Sequence, residues 1–178
     1  MHMQDEYDFS SNDPSSGEGL TLPGFIALES GEGNVPVAIA WSLPDGQIKH
    51  TLIQPDEAWL EDEAASLGDY HADELLTMGV SVSDVVRELE ADHHGSTLYS
   101  ANPDEDEAAL SRIFEALAGS TFVTITDAGT LYSDRDEWYQ QRSEMFNEMG
   151  LEPGRAEHDL ETLLKLHVRW MEDDMLAD

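Results

Sequence analysis

The chain has 178 residues, of which 40% are apolar, enough to build the core of one domain and to exclude wholesale disorder. It carries 39 Asp plus Glu against 8 Lys plus Arg, a formal charge of -31, which argues against a surface that attracts phosphate backbones. With no cysteine, disulfides, thiolate metal sites and cysteine nucleophiles are excluded together.

Residues 1–20 are rich in Ser, Asp, Glu and Gly, contain no Lys or Arg, and read as a disordered acidic tail. Phe25-Ile26-Ala27-Leu28 is a short apolar run ending at Glu29, and Val35–Trp41 is a second. Asp45-Gly46 is a hairpin-type turn signal, after which Gln47–Ile53 alternates as a third strand. These three strands predict an antiparallel meander. Pro36 cannot donate to a ladder, so it belongs at a strand start or an irregularity. A short helix is predicted over His71–Gly79, closed by Gly79. Ser83-Asp84 caps a further helix through about Asp92, with Val85, Val86 and Leu89 on one face. Thr97-Leu98-Tyr99 reads as the fourth strand. Pro103 can open a helix whose stripe is Leu110, Ile113, Phe114 and Leu117. Thr121–Thr126 reads as the fifth strand and Tyr132–Met149 as mostly helical. The last helix starts near Arg155 and carries Leu160, Leu163, Leu164, His167, Val168 and Met171 at helical spacing. The order predicts an α/β domain over residues 21–174, with a mixed five-stranded sheet flanked by helices, and an acidic tail over 175–178.

Phe25-Ile26-Ala27-Leu28-Glu29-Ser30 followed by Pro36–Trp41 resembles the first motif of the DEDD 3′–5′ exonucleases, in which a strand carries Asp-x-Glu. Glu29 matches the Glu, and Ala27 stands where the family has its Asp. Leu98–Asp106 resembles the second motif, an Asp opening the helix after the fourth strand; Asp106 is the match and Asp104 a register alternative. Gly154-Arg155-Ala156-Glu157-His158-Asp159 resembles the third, His-x-x-x-x-Asp, with Asp159 as the metal-binding carboxylate and Gly154 at the place of the general-base His. The resemblance covers about Gly24–Trp170. It implies a ribonuclease-H-like fold, in which a three-strand meander is extended by parallel strands. It also implies one or two Mg or Mn ions, Glu29, Asp106 and Asp159 as catalytic and metal-binding residues, and single-stranded nucleic-acid 3′ ends as substrate.

The residue chemistry can be read beside this. Positions 27 and 29 share one face of a strand. Carboxylates there and on two helices would make an oxygen-rich pocket suited to Mg²⁺ or Mn²⁺, and two such ions would activate water and stabilise a leaving oxygen. Ala27 offers no ligand, which leaves Glu29, Asp106 and Asp159 to hold one weakly bound ion. Loss of the His removes a general base, an effect of about 10²–10⁴-fold. Each residue also has a plainer reading. Glu29 can be a solvated strand-end carboxylate, and Asp106 can serve the positive end of a helix. Asp159, at the edge of an apolar stripe, needs a partner. His158 points about 100° away from Asp159 and reads as a surface residue; His71 could approach the cleft from a loop. His93-His94 suits a helix end, and His167 reads as a satisfied core histidine.

No basic stripe exists among Lys49, Arg87, Arg112, Arg135, Arg142, Arg155, Lys165 and Arg169. A glycine-rich phosphate loop, a nucleophile elbow and a His-Glu-x-x-His helix are all missing. No run of ~18 apolar residues predicts a membrane span, and Met1–Leu20 does not read as a signal peptide, so a cytoplasmic protein is expected. Charge of this size repels itself until molar salt shortens the Debye length to about 3 Å, which fits a salt-adapted organism. Three functional readings follow: a degenerate exonuclease-like protein that binds nucleic-acid ends or a protein partner, an active metal-dependent exonuclease on DNA or RNA, and a non-enzymatic acidic interaction protein.

Overall fold

Strand residues alternate between two cores, and that alternation sets the layers of the molecule. The computed structural model describes residues 4–5 and 21–177. Six strands are present among them: β1 (Gln4–Asp5), β2 (Ile26–Ser30), β3 (Pro36–Ser42), β4 (Ile48–Leu52), β5 (Thr97–Ser100) and β6 (Thr124–Asp127). The helices are α1 (Glu57–Glu61), α2 (Ala72–Met78), α3 (Val82–His93), α4 (Pro103–Ala116), α5 (Arg135–Met149) and α6 (Ala156–Ala177). β2, β3 and β4 form the predicted antiparallel meander, with β1 added beyond β4. β5 and β6 pair in parallel across helix α4. The five strands expected as one sheet thus fall into two hydrogen-bonded groups. They meet at a single parallel bridge, Phe25 to Tyr99, where the Tyr99 N–H donates to the Gly24 carbonyl at 2.9 Å.

Ile26, Leu28, Ile39 and Trp41 face the first core, shared with Val85 and Leu89 of α3 and with Leu110, Ile113 and Phe114 of α4. The opposite face carries Phe25, Ala27, Ala38 and Ala40, which share the second core with Trp138 and Met145 of α5 and Leu160, Leu163 and Leu164 of α6. Three alanines leave this face shallow, and α6 lies across β2, β3 and β4 there. Pro36 is the first residue of β3, where the pairing shifts between Glu29 and Ser30, the irregularity its missing donor calls for.

Several boundaries differ from the sequence reading for local reasons. Ser81, not Ser83-Asp84, caps α3: its Oγ accepts the Asp84 N–H at 3.2 Å. β6 begins at Thr124, because the Thr121 hydroxyl bonds locally to the Val123 backbone and competes with the ladder. The segment expected as mostly helical from Tyr132 follows a 3₁₀ turn over Ala128–Leu131, and its helix starts only at Arg135, where Asp134 accepts the Glu137 N–H. Gly79 closes α2 without a left-handed backbone. It is there because a Cβ would lie 2.6 Å from the Leu75 carbonyl and 2.7 Å from the Gln54 nitrogen. α6 runs on to Ala177, through residues assigned to the acidic tail. The expected N-terminal tail otherwise lies outside the described residues.

The shallow alanine face sets the distance of α6 from the sheet. Ala40→Leu should cost about 1–3 kcal/mol by overpacking, and Leu160→Ala about 2–5 kcal/mol by opening a cavity. Urea unfolding should show both as a lower midpoint at unchanged slope.

Candidate functional site

The three carboxylates and two gaps singled out in the sequence sit around the N-terminal ends of α4 and α6, against β2. Ala27 is buried at 3% exposure in the second core, among Ala156 and Leu160. Glu29, two residues on, lies half-buried on the same face, at the end of the strand. Its carboxylate accepts the Ala156 N–H at the first turn of α6 and a hydrogen bond from the Tyr70 hydroxyl. That hydroxyl in turn accepts from Arg155 at 2.8 Å. Burial raises the Glu29 pKa, with Tyr70, the Ala156 N–H and Arg155 opposing the rise. Glu29 opens onto a pocket of about 280 Å³ lined also by Gly68, Asp69, Glu152, Gly154 and Arg155.

Asp106 is buried at 5% exposure on the sheet side of α4, whereas Asp104 is exposed. Its Oδ1 accepts the Leu28 N–H at 3.2 Å, and its Oδ2 accepts from the Ser100 hydroxyl. The carboxyl therefore fills the gap where β2 and β5 have diverged. Burial pushes its pKa up to about 7 against the pull of Ser100 and the Leu28 N–H, and the negative charge of Asp159 adds to the rise.

Asp159 lies in the first turn of α6, also 5% exposed. Its Oδ1 accepts the Gly154 N–H at 3.2 Å and faces the Arg142 guanidinium, with Nη2 at 3.4 Å. Burial raises this pKa too, against Arg142 and the Gly154 N–H. Gly154 itself has φ +93°, a backbone that any side chain, a histidine included, would strain by about 1–2 kcal/mol.

The structure thus brings Asp106 and Asp159 within electrostatic reach of each other, and Glu29 within reach of Asp159. Among the described residues, however, no group of three or more His, Asp or Glu side chains converges closely enough to hold a metal ion. Toward a pair of divalent ions Ala27 supplies no ligand, and the carboxylates of Asp106 and Asp159 each also accept hydrogen bonds within the fold.

The histidines make their contacts with other groups, although His158 is near enough to Asp159 to lower its pKa. His158 accepts the Glu152 N–H at 3.0 Å, and His71 precedes α2. His93 is buried with Nε2 2.8 Å from the Ser42 carbonyl, and His94 stacks on Phe122. His167 is the satisfied core histidine its position predicts, with Nδ1 2.9 Å from the Tyr132 hydroxyl. Two residues of the site had not been singled out. Tyr70 reaches Glu29 from a loop that carries no pattern. Arg142 had a signal: it falls in the buried stripe of α5, four residues after Trp138 and four before Phe146.

No family model matches the chain, and no curated protein matches it.

The Asp106 carboxyl makes stability depend on pH. Its folded pKa of about 7 lies above the ordinary 3.8, so the folded state keeps a proton that the unfolded chain has lost. That contribution is complete below pH ~4 and is lost as pH rises toward ~7, at up to about 1.4 kcal/mol per pH unit. Asp106→Asn keeps the shape and the acceptor for Leu28 but cannot ionise. Between pH 4 and pH 7 the variant should gain stability relative to the unmodified protein, as measured by urea unfolding at each pH. A constant difference would show that Asp106 does not titrate in that window.

Proposed function

We propose that the chain is an exonuclease-like protein with a ribonuclease-H-like arrangement that has lost hydrolysis and acts by binding. One observation carries this reading: position 27, where a metal-binding carboxylate would stand, is an alanine packed in the core, and the three carboxylates that remain are each engaged by partners within the fold. Glu29 is held by Tyr70 and the Ala156 N–H, Asp106 by Ser100 and the Leu28 N–H, and Asp159 by Arg142 and the Gly154 N–H. Phosphodiester hydrolysis needs carboxylate oxygens free to take metal ions and a base to take a proton. The order of strands supports the family-like frame, since the meander β2–β4, the bridge from β2 to β5 and the parallel β5–β6 pair line up as β4-β3-β2-β5-β6.

The partner class follows from the cations. All eight lysines and arginines lie within 3.6 Å of a carboxylate oxygen: Lys49 with Glu88 and Asp92, Arg87 with Asp84, Arg112 with Asp62, Arg135 with Asp127, Arg142 with Asp159, Arg155 with Glu152, Lys165 with Glu161 and Arg169 with Glu148. Binding to a phosphate backbone would have to break such pairs against a net charge of -31. A protein surface rich in Lys and Arg is the complementary partner, in a cytoplasm where salt screens the self-repulsion.

A 3′-labelled single-stranded DNA and an RNA of the same sequence, incubated with Mn²⁺ in molar KCl, should remain intact and show no rise in fluorescence anisotropy. Degradation that disappears on Glu29→Gln would overturn the loss of hydrolysis. Saturable anisotropy without degradation would move the partner from protein to nucleic acid.

A further inference from the structure

Arg142 lies where its chemistry is costly. Trp138, Met145 and Phe146 on the same stripe of α5 are buried, and the arginine side chain among them is only 13% exposed. An unpaired charge in such surroundings costs several kcal/mol, so it needs an anion. Asp159, 7% exposed at its side chain, is that anion at 3.4 Å. The guanidinium carbon sits 4.9 Å from the centroid of the Phe146 ring, which favours a cation on its face. Asp106 lies close enough to add its field to that of Asp159. The contact with Asp159 is single rather than a two-bond fork, and the Arg142 Nε finds no acceptor. The arginine is therefore held by charge more than by directed hydrogen bonds.

We infer that Arg142 is the built-in counter-cation of this carboxylate site, occupying through its own side chain the electrostatic role that a divalent ion would otherwise fill beside Asp159. The inference rests on reading these positions as exonuclease-like. Two buried carboxylates brought together without a cation would repel one another and take up protons. A guanidinium cannot lose its proton in the working range and cannot leave. One negative charge of the site is thereby balanced permanently, and an ion would have to displace a tethered charge rather than water.

The test is Mn²⁺ binding followed by electron paramagnetic resonance in molar KCl, which suppresses diffuse attraction to the acidic surface. Arg142→Gln removes the cation and keeps much of the side-chain length. It should bind one Mn²⁺ at least tenfold more tightly than the unmodified protein, and a further Asp159→Asn change should abolish the gain. Folding is checked by near-ultraviolet circular dichroism. If Arg142→Gln alone is unfolded, Mn²⁺ or the added Asp159→Asn change should restore its folding, because each removes the uncompensated charge.

Three results would overturn the inference. One is equal Mn²⁺ affinity with and without Arg142. Another is a gain that survives Asp159→Asn, and the third is an unfolded variant rescued by neither route. The proposed loss of hydrolysis is read separately by the 3′-end assay: intact substrate with no Mn²⁺ gain in Arg142→Gln removes the counter-cation and leaves that reading standing. Degradation by the unmodified protein removes the reading itself.

Discussion

The site is shaped by the way α6 seats on three alanines. Ala27, Ala38 and Ala40 leave the central strands without bulk on one face, and the helix that carries Ala156, Leu160, Leu163 and Leu164 fills that space. Its first turn therefore arrives beside the end of β2, where the Ala156 N–H meets Glu29 and the Gly154 N–H meets Asp159. A carboxylate at position 27 would have to enter this packed contact. The alanine that supplies no ligand is also what lets the helix come down.

Charge is handled by two different rules in the same molecule. On the surface, long basic side chains pair with abundant carboxylates, contacts worth little individually and screened by salt. In the interior, Asp106 is held by neutral donors and by burial that favours its protonated form, while Asp159 is held by Arg142. Lys49 is intermediate, bridging Glu88 and Asp92 of α3 to the partly buried start of β4, with Asp92 also accepting from the Trp41 indole.

Much of this was legible in the sequence, and the rest failed for identifiable reasons. The meander, the irregularity at Pro36 and the buried His167 follow from alternation, helical spacing and the missing proline donor, while Asp106 over Asp104 came from the motif resemblance. Helix starts were read too late or too early where a serine or aspartate two or three residues away made the better cap. The short α1 has too few residues to show a period. Arg142 was passed over because an arginine in an amphipathic helix is ordinarily solvated. Only its spacing from Trp138 and Phe146 marks it as inward. Tyr70 could not be read at all, since its contact with Glu29 is made by a loop folding back.

The joint between the two strand groups has a consequence for motion. β2 and β5 share one bridge at Phe25, and farther along β2 the Leu28 amide is satisfied by the Asp106 side chain, not by a neighbouring strand. Exchange of that one amide hydrogen with solvent is therefore governed by the departure of the α4 N-terminus from the sheet, independently of any unzipping of a ladder. Leu28 is a single-atom gauge of how tightly the antiparallel and parallel halves are clasped.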